Sequence, residues 1–76
     1  MDAYILTSKG KARLAEMRQN PALAKTPACQ VLDCINRMGA VNAAQIADGA
    51  RLSVGSAIRI LGELRAGGLA QIMGQV

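Results

Sequence analysis

Between residues 51 and 66 the chain sets Arg51, Ser53, Ser56, Arg59 and Arg65 at intervals of two to six residues. Hydroxyls and guanidinium groups at such spacing offer hydrogen bonding and positive charge, the chemistry that holds phosphate oxygens and reads base edges. Nothing beside them extends that chemistry to catalysis. The chain has no His, no Gly-rich loop between a strand and a helix and no nucleophile next to a base, and its five carboxylates read as separate surface groups. The expectation is a binding protein, not an enzyme, with no cofactor. Cys29 and Cys34 are five residues apart in a helical stretch, so at about 100° per residue they diverge by about 140°. Without His or a second Cys pair they imply no metal site, only two buried thiols in a reducing compartment.

Charge indicates the kind of partner. Nine Lys and Arg against five Asp and Glu give a net charge of +4, which favours anionic partners at long range. Lys9, Lys11, Arg13, Arg18 and Lys25 face only Asp2 and Glu16 in the first 25 residues, whereas from Ala40 onward Arg51, Arg59 and Arg65 face Asp48 and Glu63. Most of the positive charge therefore precedes the residues that could read bases. Stacking on single strands needs several aromatic platforms, and Tyr4 is the sole aromatic side chain. No charge-free apolar run reaches the roughly 18 residues of a membrane span, and the start "MDAYILTSKGK" lacks the basic-then-apolar order of a signal peptide. A cytoplasmic protein with no membrane partner is expected. The core must be made from Ala, Leu, Ile, Val and Met, and a domain of about 60 residues buries only about 60% of its unfolded surface, so a homodimer is expected to supply further burial.

The elements that must position these groups are mostly helices. "AYIL" at 3 to 6 reads as a strand, and "TS" at 7 and 8 caps a helix through "KGKARLAEMRQ" that stops at Asn20-Pro21. "PALAK" reads as a connector. Thr26 then caps a second helix with Pro27 at its first position and Gly39 just past its end, and Val31, Leu32, Ile35 and Met38 form its apolar stripe. Asn42, three residues before Gln45, has the form of a capping box for a short helix that Gly49 is expected to break. Ser53 caps a further helix reaching about Ala66, and Gly67-Gly68 ends it. The tail "LAQIMGQV" has room for one strand, which is expected to pair with "AYIL".

Stepping about 100° per residue from Ala57, at the centre of the buried side of the last helix, puts Leu61 and Leu64 beside it and Val54 and Ile60 at the flanks. Gly55, Arg59, Gly62 and Ala66 fall opposite, with Ser56, Ile58 and Glu63 at the border. Direct reading of bases thus rests on Ser56 and Arg59, with Ile58 limited to an apolar contact such as a thymine methyl. The small residues Gly55, Gly62 and Ala66 let a phosphate backbone or another helix approach closely.

Two helices joined by a tight turn, the second capped by Ser and followed by Gly-Gly-Leu, form a helix-turn-helix pattern over residues 42 to 66. Over "AAQIADGARLSVGSAIRILGELRAGGLA" the sequence resembles winged-helix regulators of the MarR and ArsR kind. Ala43, Ile46, Ala47, Leu52, Ser53, Ala57, Leu61, Leu64, Gly68 and Leu69 fall where that family places packing, capping and turn residues. The resemblance implies a three-helix core whose Ser53 to Ala66 helix enters the major groove of double-stranded DNA in a transcriptional regulator. With the elements and charges read above, the expectation is a mainly α single domain over residues 1 to 76, with a leading helix and a two-stranded ribbon from the chain ends, in which Ser53, Ser56, Arg59, Arg51, Arg65, Lys9, Lys11 and Arg13 touch the DNA. The wing departs from the family. Members usually follow Gly-Leu with a hairpin and then "Y-x-L-T-x-K-G", whereas here "YILTSKG" stands at residues 4 to 10 and seven residues follow Leu69, so the wing is expected to be reduced. The competing expectation is a protein interaction or dimerisation module without specific DNA binding, whose surface is Gly55, Ile58, Gly62 and Ala66.

Overall fold

The first strand, β1 (Asp2–Leu6), passes into helix α1 (Ser8–Gln19) at Thr7, whose hydroxyl accepts from the Gly10 backbone N–H at 3.0 Å and donates to the Gly68 carbonyl at 2.6 Å. This computed structural model describes residues 1–75; Val76, the last residue of the tail read as a strand, lies outside them. One helix turn, α2 (Pro21–Ala24), follows, then α3 (Pro27–Met38), α4 (Ala43–Ala50), α5 (Val54–Ala66) and strand β2 (Ala70–Gln75). The chain is mainly helical, with a two-stranded antiparallel sheet made from its first and last elements.

Local chemistry explains most boundaries. Thr26 accepts from the Cys29 N–H, Pro27 starts α3, and Gly39, at φ +80°, ends it. Asn42 and Gln45 make the reciprocal capping box at the start of α4, at 2.8 and 3.0 Å. The expected connector "PALAK" is instead partly helical. Asn20 ends α1 and also caps α2, its side chain accepting from the Ala22 N–H at 3.0 Å, and Pro21 supplies the φ that a first helical residue needs. Gly49 does not break α4. The helix runs on to Ala50 and stops at Arg51, which adopts φ 58°, ψ 47°. Packing accounts for Gly49, since a Cβ there would stand 2.7 Å from the Cys34 Sγ.

The core is one cluster in which Leu14, Leu32, Ile35, Ile46, Leu61, Val31 and Cys34 are fully buried. Met38, assigned from the sequence to the apolar stripe of α3, is 48% exposed. It lies in the last turn of α3, where its sulfur accepts from the Cys34 thiol at 3.4 Å. Among the described residues no buried side-chain nitrogen or oxygen lacks a partner.

Leu6 pairs with Ala70, Ile5 with Gln71 and Tyr4 with Ile72; Met73 is then the extra residue of a bulge, beyond which Ala3 pairs with Gly74 and Asp2 with Gln75. On its other side Tyr4 exchanges two backbone hydrogen bonds with Val41, at 2.8 and 3.2 Å. β1 therefore lies between β2 and the segment joining α3 to α4. No helix among the described residues is long and apolar enough to cross a membrane.

Candidate nucleic-acid interface

Ser53 caps α5 through a hydroxyl that accepts from the Ser56 N–H at 3.1 Å and donates to the Ser56 hydroxyl at 2.9 Å. That hydroxyl is engaged in holding the helix, while half-buried Ser56 keeps its own proton to donate. On the outward side of α5, Gly55, Arg59, Gly62 and Ala66 are all exposed, as their spacing predicts, and Ile58 at the border is 53% exposed. The flanks divide: Ile60 is buried, whereas Val54 is 43% exposed. The outward face is thus more apolar at its N-terminal half than a balanced edge would be.

Ion pairing divides the cations into two groups. Arg59 Nη1 meets Glu63 Oε1 at 3.2 Å one turn on, and Arg13 pairs with Glu16 at 3.3 Å. Asp33 accepts from both Arg18 and Arg37. Burial pushes the Asp33 carboxyl up, but the two guanidinium groups outweigh it and hold it below its ordinary value. Each exposed pair is weak, at about 0.2–1 kcal/mol, yet it cancels charge that a DNA strand would otherwise meet. Lys9, Lys11, Lys25, Arg51 and Arg65 have no ion pair among the described residues.

The structure brings some of the expected contacts together and separates others. Arg51 stands in the turn before α5 and Arg65 in its last turn. Lys9 lies beside the turn that follows α5: its Cδ is 4.0 Å from where a Cβ on Gly68 would be. Lys9 and Arg13 lie on one side of the buried Gly10, Leu14 and Met17 face of α1 and Lys11 on the other. Lys11 instead borders a pocket with Ile5, Leu6, Ile35, Asn36 and Gly39. Lys11 is thus directed to the α3 side of α1, away from the Lys9 flank that meets the end of α5.

One surface feature escaped the sequence. An open groove of about 580 Å³ runs between α5 and β2, lined by Gly62, Arg65, Ala66, Ala70, Gln71 and Ile72. Gln71, read only as part of a strand, borders this groove because β2 folds back beside α5. The two cysteines are buried and unbridged, and burial pushes the Cys34 thiol pKa up. No group of three metal-ligating side chains occurs among the described residues. Comparison with protein-family models, curated proteins and solved structures finds no match to this chain.

Proposed function

We propose that this chain is a small winged-helix protein that binds duplex DNA, chiefly through phosphates, as a homodimeric regulator of transcription. The observation that carries the reading is the α4-turn-α5 unit: α5 is exposed along its outward side, its middle is floored by small residues, and unpaired Arg51 and Arg65 stand at its two ends. A helix of this form fits a major groove while the cations at its ends reach phosphates on either side. Strand order adds support. In the winged-helix proteins that the sequence resembles, the second helix leads into a hairpin and "Y-x-L-T-x-K-G" follows it. Here β2 follows α5 and pairs with β1, and β1 carries "YILTSKG" into α1, with Asp2 and Gln75 opposite each other at the far end of the ribbon. A homodimer doubles the phosphate contacts available to a unit with few unpaired cations.

A second reading, docking on protein, is favoured by one observation: Val54, Ile58, Ile72 and Met73 are large exposed apolar side chains on α5 and β2. Two variants separate the readings. Under DNA binding, Arg59→Ala weakens duplex affinity by about 1–3 kcal/mol through loss of a base contact, and Ile58→Lys leaves affinity intact or raises it. Under protein docking, Ile58→Lys abolishes self-association or partner association, because a charge is forced into an apolar contact, and Arg59→Ala leaves DNA affinity unchanged. Fluorescence anisotropy and sedimentation on both variants, after circular dichroism shows them folded, give the answer. Unchanged DNA affinity in Arg59→Ala together with lost association in Ile58→Lys overturns the proposal.

A further inference from the structure

The two edges of the ribbon differ. Tyr4 turns its backbone N–H and C=O to Val41, so in the alternation of an antiparallel pair its neighbour Ile5 turns both groups to Gln71 of β2. The Thr7 N–H, bonded to the Leu69 carbonyl, fits the same phase. Leu6 with Ala70 and Tyr4 with Ile72 are then the pairs that exchange no hydrogen bond. The N–H and C=O of Ala70 and Ile72 therefore point away from β1, and no hydrogen bond reaches them among the described residues. Edges are commonly guarded by charge, proline or a bulge. Between Ala70 and Gln75 there is no charged residue and no proline, and the bulge at Met73 leaves Ala70 to Ile72 regular. Those three residues line the groove whose opposite wall is Gly62, Arg65 and Ala66. Consecutive strand residues, whose side chains alternate between faces, border one groove only along an edge, and β1 occupies the other edge.

Resting on the homodimer in the reading above, we propose that a second copy of this chain adds its β2 antiparallel to this edge, Ala70 of each copy pairing with Ile72 of the other about a twofold axis at Gln71. Four backbone hydrogen bonds result, two for each pair, and the two ribbons join into one four-stranded sheet. Side-chain size fits this register. Paired residues share a face, and Ala70 is buried, so the face is the one turned to the core and α5. Each copy's Ile72 thus comes beside the other's Ala70, over a strip where Gly62 and Ala66 carry nothing larger than a methyl. A Cβ on Gly62 would meet nothing within 4 Å. Charge agrees with a like copy as the occupant. Two chains of net charge +4 repel, and contact along an uncharged strand sets no like charges opposite each other. Antiparallel order also carries Asp2, at the far end of each ribbon, towards the end of the other copy's α5, where Arg65 and Lys9 stand. Arg51, Ser56 and Arg59, before and within the N-terminal half of α5, stay outside the contact and open to DNA.

The test is sedimentation equilibrium joined with oxidative cross-linking, thermal melts confirming that each variant is folded. Ile72→Pro removes an N–H that β1 does not use, and proline is accepted in an edge strand where its nitrogen faces away from the sheet. Ile72→Val keeps that N–H. At the twofold axis the two copies' Gln71 form a pair without hydrogen bonds, their Cα atoms about 4.5 Å apart, which a disulfide can span. Gln71 and Gln45 are both exposed, so Gln71→Cys reads the register and Gln45→Cys, on α4, serves as its control. The expected result is a wild-type dimer whose dissociation constant rises about tenfold or more in Ile72→Pro, as two hydrogen bonds are lost, and by less than about threefold in Ile72→Val and Ile58→Lys. Mild oxidant links Gln71→Cys into a covalent dimer and leaves Gln45→Cys unlinked. A wild-type dimer in which Gln71→Cys does not cross-link, or which Ile72→Pro leaves as tight, overturns the edge pairing while the homodimer stands. A wild type that stays monomeric at millimolar concentration overturns the homodimer and the edge together, and anisotropy of the same preparation with duplex DNA decides the DNA reading separately.

Discussion

At the scale of single residues, Arg51 combines an unfavourable backbone conformation with a place in the proposed phosphate contact. It is the only non-glycine residue with positive φ among the described residues, and a non-glycine side chain in the left-handed region costs about 1–2 kcal/mol. Its N–H closes α4 on the carbonyls of Ala47 and Asp48. Glycine would do that backbone job with less strain, so the guanidinium needs another reason to be there. Arg51→Gly is expected to leave stability in urea unchanged or higher by up to about 1 kcal/mol, the relief being partly offset by the greater chain entropy of glycine when unfolded. The same variant is expected to bind duplex DNA more weakly. Lower stability with unaltered binding would make Arg51 a purely structural residue.

At the scale of elements, the joint between α1 and the end of α5 ties the basic N-terminal part to the proposed reading unit. Thr7 donates its hydroxyl and its N–H to the Gly68 and Leu69 carbonyls, and a Cβ on Gly10 would lie 2.0 Å from the Leu69 carbonyl oxygen. Backbone cannot yield there as a flexible side chain would. Gly10→Ala is therefore expected to lower stability by about 1–3 kcal/mol or more, the range for overpacking, measured as a fall in the urea midpoint. A wild-type midpoint would mean that α1 and the Gly67 to Leu69 turn move apart freely. The helix starts were legible because Thr26, Asn42 and Ser53 announce them through side-chain caps whose effect is local. The end of α4 was not, because Gly49 serves contact with Cys34, a neighbour from another helix. Met38 was misplaced for a related reason: periodicity continued the stripe of α3 past the point where the helix leaves the core. Of the candidate site, the outward residues of α5 were readable from a 100° step, whereas the groove beside them depends on where β2 returns, which no local pattern encodes.

At the scale of the whole molecule, the accessible surface of 4378 Å² matches the roughly 4400 Å² that size scaling gives for a compact monomer of this mass. Each protomer thus closes its own core, and any homodimer joins folded units. What remains outward is an excess of positive charge, concentrated in Lys9, Lys11, Lys25, Arg51 and Arg65 once the ion pairs are set aside. Groups able to discriminate bases are few beside them. Attraction to phosphate should then dominate over sequence recognition. The most direct measurement is equilibrium binding of the purified protein to two unrelated duplexes across a series of salt concentrations. The expected result is nearly equal affinity for both and a linear fall of log K with log salt, with a slope of about −2 to −4 for two to four phosphate contacts per bound protomer. No binding at low salt, or binding that salt leaves untouched, would contradict the proposal that this surface is made for DNA.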